Sequence, residues 1–497
     1  MGDPWNEPDT IAAQALLNCL VRELAAPEGE GWRLAGSGRL LSCDRSGRWL
    51  RDPAVDGRPV ADLEELITLV ETEARARTGT ENATLADEIR DSRDVVAALV
   101  QARRSRPDWA ASDLYLRSEQ ALLAGHRYHP AAKTRGGGPA SAWLPFAPEA
   151  GASFALELLG VPEGLLREEG VSEEIDKLWG AAAPAGYRVL PVHPWQLRLL
   201  GGVPPEPLIR LGRTEETAFA TSSLRTVYLP TADLSLKFSL DVRITNDIRR
   251  LWARDLCWLV PVDRIVAELP IGRRMLADTG YRAPGFAADG DWEALAVLQR
   301  EGHGRVLRPG LTPLLAAGVS EGFAGNPLDG LDADRALAWW RSYVQLAAPA
   351  ALEACFEHGV VLEAHLQNVL VAVDADGMPG EVLFRDHEGV KLVHDHHAAL
   401  LDAHPGPGNP GVSREKGRDR LFYCLVVNNL MEMAAAVRER APEAAEELWP
   451  TARQVLADWP ELTEARYLPA KTNLTLRWTN ADGGDSAYLP IPNPLHG

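Results

Sequence analysis

Residues 363–368 read Glu-Ala-His-Leu-Gln-Asn and lie between two apolar runs, 360–362 and 369–373. Burying a carboxylate, an imidazole and two amides together is costly unless each finds a partner. The fold must therefore bring polar groups from elsewhere to this point. One source lies just downstream. Residues 369–373 and 382–384 have the composition of strands, and Asp376-Gly377 between them predicts a hairpin. Closing that hairpin carries Asp386 back beside Asn368. Glu363, Asn368 and Asp386 would then offer hard oxygen donors suited to Mg2+.

Three other segments carry chemistry-bearing residues. Residues 125–138 place His126, His129, Lys133, Arg135 and three consecutive glycines within fourteen positions. Gly-rich backbone approaches phosphate closely, and Lys and Arg add charge-assisted bonds; the segment reads equally as a basic surface loop. His193 stands between Pro191-Val192 and Pro194 and reads as a structural turn in which the imidazole caps the backbone. Residues 221–226 are rich in hydroxyls around Arg225. In the strand 234–240, Leu234, Leu236, Phe238 and Leu240 alternate with Ser235, Lys237 and Ser239. A Lys on a rigid strand suits a nucleotide phosphate, and the alternative is a solvated Lys on an amphipathic edge strand. If Thr245 starts a helix, Thr245 and Arg249 share a face, and Arg offers a planar fork to a carboxylate. His394-Asp395-His396-His397 reads as a solvated turn, because adjacent side chains cannot all face one ion.

The 497 residues favour about three domains. Residues 9–26 and 60–125 have helical spacing, and 32–50 reads as a hairpin. Strand-like runs at 187–192, 219–228 and 234–240 give 126–300 a β-rich character, a long helix is expected over 336–357 despite Pro349, and helices resume at 417–458. No fixed-period repeat is visible, which argues against solenoids and propellers. The formal net charge of -19 disfavours nucleic acid and anionic membrane as general partners. The longest apolar candidate, 421–437, is interrupted by Asn428, Asn429 and Glu432, and the N-terminus lacks the regions of a signal peptide. The five cysteines form no CxxC pair and read as reduced core residues of a cytoplasmic protein.

Taken in order, these segments resemble the IucA/IucC family, the NRPS-independent siderophore synthetases, over roughly residues 115–480. The resemblance rests on His126 to Arg135, His193-Pro-Trp-Gln196, Ser223-Leu-Arg-Thr226, Lys237, Thr245 and Arg249, Glu363-Ala-His-Leu-Gln-Asn368, and Arg385-Asp-His-Glu-Gly389. Two positions depart from the family pattern. Arg127 stands where a Pro is usual, and Leu366 where a Gly is usual.

The resemblance implies an α+β fold shaped like a cupped hand. A helical thumb spans 1–125, β-rich fingers 126–325 and a kinase-like palm 326–497. The hairpin between Asn368 and Asp386 parallels the linked Asn and Asp metal ligands of kinase-like phosphotransferases. It further implies ATP-dependent adenylation of citrate, a related di- or tricarboxylic acid or its monoamide. Condensation with an amine or hydroxamate follows, releasing AMP and pyrophosphate, in a cytoplasmic homodimer. By the family pattern Ser223, Arg225, Thr226, Lys237, Lys133, Arg135, His365, Gln367 and Asn368 would contact ATP. Arg225, Lys237, His365 and His129 would serve catalysis. Thr245, Arg249 and His129 would hold the acid, and Glu363, Asn368 and Asp386 the Mg2+. A kinase-like small-molecule phosphotransferase and a non-catalytic nucleotide- or polycarboxylate-binding relative are the competing readings.

Overall fold

The computed structural model describes residues 7–496 apart from 107–110, 137, 172, 245–246, 286–290, 407 and 481–486. Helices and sheets are mixed throughout, as expected for an α+β fold.

Helices Glu7–Leu24, Leu63–Thr78 and Leu85–Ser105 pack beside a five-stranded antiparallel meander. Residues 32–50 thus contribute to a larger sheet than the expected hairpin. The second helix starts where the Asp62 side chain accepts the Glu65 N–H, and it stops at Gly79 with φ 70°. Leu16, Leu20, Leu66, Val70 and Ile89 form the core of this layer, and Leu474 and Trp478 from the far end of the chain join it. The C-terminal helix Asn473–Trp478 is fastened there: Glu23 accepts the Leu474 and Thr475 N–H groups at 2.9 and 2.8 Å.

The middle of the chain forms a seven-stranded antiparallel sheet. Strand Leu234–Phe238 is central in it, between Thr226–Leu229 and Val297–Glu301. Residues 219–228 are two strands joined by a tight turn, not one run. Lys237 is therefore not on an edge strand. Arg249 lies on a strand and not on the expected helix: Leu240–Ile244 pairs with Asp247–Arg249, with Leu240 opposite Arg249. Alternating β-branched and polar residues favour that pairing over a helical turn. Thr245 itself lies outside the described residues.

A four-stranded sheet follows in the order Met275–Leu276, Pro379–Arg385, Val369–Val373, Thr312–Leu315. It draws strands from both sides of position 326. Val369–Val373 is buried at every position, as an apolar β-branched run requires. The hairpin forms at Asp376-Gly377: Asp374 Oδ1 accepts the Asp376 and Met378 N–H groups at 2.9 and 3.0 Å. Helix Ala333–Phe356 covers this sheet and runs through Pro349. Burial of Trp339, Trp340, Tyr343, Ala347 and Ala351 offsets the hydrogen bond that Pro349 removes.

The interrupted apolar run 421–437 belongs to a helical stretch, Arg414–Arg440, that is long and apolar enough to cross a membrane. Here 72% of its most apolar window is buried inside the protein. Its middle, Phe422–Leu430, is a π-helix. The wider turn lets Asn429 accept the Tyr343 hydroxyl at 2.6 Å and donate to the Ala364 carbonyl at 2.9 Å, so this helix props the 363–368 segment. Of the cysteines, Cys19, Cys355 and Cys424 are core residues, but Cys43 is half-buried and Cys257 exposed. The 394–397 segment opens a helix, His394–Ala403, rather than a turn. Its exposed His394 pairs with Asp402 at 2.9 Å.

Candidate active site

The site begins with three backbone devices. Between strands Ala218–Ala220 and Thr226–Leu229 the chain turns with Leu224 at φ 67°, a left-handed conformation costing about 1–2 kcal/mol for a residue with a Cβ. The Thr221 hydroxyl donates to Thr226 O at 2.8 Å and Ser223 Oγ to Thr226 Oγ1 at 2.7 Å, which fixes that turn. The strand Leu234–Phe238 holds Lys237. At the end of strand Pro379–Arg385 the chain passes through Asp386 at φ 83°, a second left-handed non-glycine residue.

These devices converge on one cluster. Lys237 Nζ lies 2.7 Å from Asp386 Oδ1 and 2.8 Å from Glu388 Oε2. Arg300, on the neighbouring strand, reaches Asp386 Oδ1 at 3.3 Å and Arg225 reaches Glu388 at 3.6 Å. Arg300 is itself held by both oxygens of Asp278, at 2.5 and 2.9 Å, and Asp278 also accepts the His387 N–H at 2.9 Å. Burial alone would raise the Asp386 carboxyl, but Lys237 and Arg300 hold it far below the usual carboxylate range. The same balance, burial against Arg420 and Lys471, keeps Glu363 below its ordinary value. Burial lowers His365 despite Glu363 and Asp386 beside it, so the ring is neutral near pH 7.

The cluster opens into a cavity of about 490 Å³. Ten of its lining residues are Lys or Arg and five are Asp or Glu, the reverse of a chain with net charge -19. Arg225, Lys237, Ser223, Thr226, His129, Lys133, Arg135, His365, Gln367, Asn368, Arg249, Glu363 and Asp386 all line it. Thr245 is the one expected site residue that the description does not reach. Lys133 and Arg135 are buried and share Glu149, at 2.6 and 2.5 Å. They thus form a fixed wall rather than a surface loop. Burial works against Glu149 ionising, but Arg135 and Lys133 bring it down to about 2. Arg249 sits on the hairpin strand, and its carbonyl accepts from Arg225 at 3.1 Å. Gln367 Nε2 contacts Ser222 Oγ at 3.5 Å, and Arg385 donates to the Gln367 carbonyl at 2.7 Å.

Histidines 126, 129 and 193 share one local motif. Each Nδ1 accepts the N–H two residues on, from Tyr128 at 3.1 Å, Ala131 at 3.2 Å and Trp195 at 3.1 Å. In a neutral ring the proton then sits on Nε2. Burial depresses His126 to about 3, so it faces the cavity as a neutral N–H donor and not as a base. His193 is fully buried against Phe146, Phe154 and Phe238 and caps helix Pro194–Leu199, the structural part expected for it.

Whether the donor set fits a divalent cation is a matter of its chemistry. Glu363, Asn368 and Asp386 present hard oxygens to one cavity. Glu363 now pairs with Arg420, and Asp386 with Lys237. The oxygens therefore fit a hard cation once anionic groups draw those bases away.

Comparison with known proteins follows from this geometry. The family model described as IucA / IucC family matches residues 114–306. A second, described as Ferric iron reductase FhuF-like transporter, matches 337–486. The Rhizobactin siderophore biosynthesis protein RhbC of Rhizobium meliloti (strain 1021) is 28% identical, over 98% of this chain and 97% of its own. The L-2,3-diaminopropanoate–citrate ligase of Staphylococcus aureus (strain NCTC 8325 / PS 47) is 27% identical, over 77% and 75%. The ATP-bound aerobactin synthetase IucA of Klebsiella pneumoniae superposes with a TM-score of 0.80 at 20% identity, over 98% of this chain and 99% of that one. Over residues 114–306 the chain matches the IucA / IucC family model, and over most of its length it is similar to siderophore biosynthesis proteins and citrate ligases.

Sequence reasoning missed Arg300, Asp278, Glu388, Glu119, Glu149, Arg420 and Lys471. Glu388 was within reach, two residues from Asp386. The others sit in no local motif. Glu119 is buried, pairs with Arg385 and accepts the Ser222 N–H at 3.1 Å, so it ties the hydroxyl turn to the Asp386 strand. Lys471 ends the strand Tyr467–Lys471 and stands over the Tyr423 ring at 5.2 Å.

Proposed function

We propose that this IucA/IucC protein is an ATP-dependent carboxylate–amine ligase of siderophore-type biosynthesis. It activates citrate, a related di- or tricarboxylic acid or its monoamide as an acyl-adenylate and joins it to an amine or hydroxamate. The observation that carries the reading is the cation-rich cavity in an acidic chain, with Lys237, Arg225 and Arg300 gathered around Asp386 and Glu388. Two anionic substrates must share one space, and only concentrated positive charge makes that favourable. The citrate ligase and siderophore biosynthesis relatives, and the ATP-bound structural relative, support the same substrates.

In the reaction a substrate carboxylate oxygen attacks the α-phosphorus, and the bond from that phosphorus to the pyrophosphate oxygen breaks. Arg225 and Lys237, with the hydroxyls of Ser223 and Thr226, bind phosphate oxygens and stabilise the charge that develops on them. His365, as a neutral ring, donates or accepts a hydrogen bond without adding charge. Arg249, Thr245 and the Nε2–H of His129 orient the acid. Glu363, Asn368 and Asp386 would hold magnesium, which supplies charge neutralisation on the phosphates. Lys237, paired with Asp386 and Glu388, would turn its ammonium to phosphate when nucleotide is bound. The amine nitrogen then bonds to the acyl carbon, loses a proton, and AMP departs. A thumb, fingers and kinase-like palm at 1–125, 126–325 and 326–497, with a cytoplasmic homodimer as the working form, belong to the same proposal.

The test is a panel of citrate, 2-oxoglutarate, succinate and their monoamides, offered with several amines. Acid-dependent release of pyrophosphate and AMP is expected. Release of ADP instead would make the protein a phosphotransferase, and no nucleotide turnover with any acid would make it a binding protein.

A further inference from the structure

The phosphate end of the cavity leaves one wall without a part in the reaction above. Four remote stretches build it: Arg48 and Trp49, Arg127, Ser320 and Glu321, and Asn428 with Glu432. Arg127 is the position where this chain departs from its family's usual Pro. Its guanidinium stands 5.9 Å from the Trp49 ring centroid and 5.0 Å from that of Tyr128, and Nη2 donates to the Tyr128 hydroxyl at 3.0 Å. The rings and that bond fix its plane. Its Nη1 lies 3.3 Å from Glu432 Oε2, a single long contact between two side chains that both line the cavity. Arg48 is buried beside them and is held by the Ser320 carbonyl and hydroxyl at 2.6 and 2.8 Å. His126, next to Arg127 in the chain, lines the same cavity as His365 and the 363–368 segment. The wall therefore shares its cavity with the residues to which the proposed reaction assigns the acid and the nucleotide.

We infer that the Arg127–Glu432 pair is the subsite of the amine substrate and selects a zwitterion, an α-amino acid carrying a second, reactive amino group. This rests on the ligase reading. The argument is charge geometry. An α-amino acid holds its carboxylate and ammonium side by side, so it presents both charges at once to an Arg and a Glu that stand side by side. Its carboxylate meets the fixed guanidinium as a planar two-oxygen acceptor. Its ammonium meets Glu432. A plain diamine offers only cations, which satisfy Glu432 but leave Arg127 buried beside a like charge. The side-chain amine is left to reach past His126. There the ammonium first loses one proton to solvent, the free amine nitrogen bonds to the acyl carbon, the acyl–oxygen bond to AMP breaks with its electron pair leaving on AMP, and a second proton passes to solvent as the amide forms.

The experiment compares 2,3-diaminopropanoate and ornithine with their decarboxylated counterparts, ethylenediamine and putrescine, using the acid that best drives pyrophosphate release. The readout is the ratio of kcat/KM for amino acid over diamine. A ratio of ten or more is expected in the native protein, falling to near one in Arg127→Gln. Because both substrates are measured on the same variant, a loss of folded protein cancels in the ratio. Arg127→Lys, which keeps the charge and loses the fork, should give an intermediate ratio. A native ratio of one or below, or a ratio unchanged in Arg127→Gln, overturns the assignment. Absence of acid-dependent pyrophosphate release would instead overturn the ligase reading itself.

Discussion

Lys237 and Asp386 are separated by 149 residues in the chain, yet Nζ and Oδ1 stand 2.7 Å apart. Lys237 comes from the centre of the seven-stranded sheet, and Asp386 from the end of a strand in the four-stranded one. The pair thus bridges the two sheets at the cavity. Asp386→Asn keeps the shape and removes the charge. It should lower acid-dependent pyrophosphate release by about 100-fold or more, the loss typical of removing one preorganised charged group. A stopped pyrophosphate assay and a melting curve on the same sample check it; near-native turnover would remove Asp386 from the site.

Glu119 offers a stability test. It is buried with Arg385, and no other carboxylate among the described residues pairs with that guanidinium. Removing one partner of a buried pair typically costs about 3–5 kcal/mol, because the other charge stays desolvated. Glu119→Gln should therefore shift the urea midpoint strongly downward. A double replacement that also makes Arg385 apolar should recover part of the loss.

His193 separates structure from chemistry. It caps helix Pro194–Leu199 among three phenyl rings and does not line the cavity. His193→Ala should cost about 1–2 kcal/mol for the lost cap, plus a contribution from the space left behind. Turnover of the folded fraction should stay within twofold. Denaturation and kinetics on one preparation decide this, and a tenfold fall in kcat would give His193 a part in the reaction.

The pH dependence of stability has a defined sign. His126 and His193 are each depressed by burial to about 3 in the folded chain. Below pH 6.5 the unfolded chain binds protons there that the folded chain does not, so stability falls with pH. Glu23 is the opposite case: burial raises it to about 7, so the folded chain binds its proton first and gains stability as pH drops from 7 towards 4.5. Between pH 6.5 and 4.5 two protons oppose one. The net loss is about 1.4 kcal/mol per pH unit, with His365 adding in the same direction. In Glu23→Gln the opposing contribution disappears, and the slope should steepen to about twice that value. Urea titrations at half-unit steps of pH measure it.

The hairpin that returns Asp386 towards Asn368 could be read directly from the sequence. So could the strand that presents Lys237 and the capping part of His193. In each case a local rule was enough: an Asp-Gly turn between apolar runs, alternation along a strand, a His followed by Pro. Local reasoning failed at Arg249, which lies on a strand and not on a helix. A helical spacing there was equally consistent with a short hairpin, and pairing of Leu240 with Arg249 decided between them. It also left open whether Lys133 and Arg135 face solvent.

By itself, then, the order of residues determined which reactive side-chain types cluster in short motifs and which short backbone units hold them, since those follow from neighbours within a few positions. The tertiary structure alone decided the partners: Asp278 on Arg300, Glu149 on Lys133 and Arg135, Glu119 on Arg385, Glu432 on Arg127. The physical reason is that a buried charge must be matched wherever the packed sheets and helices bring an opposite one. That position is set by the global arrangement of the chain and leaves no mark on the residues nearby.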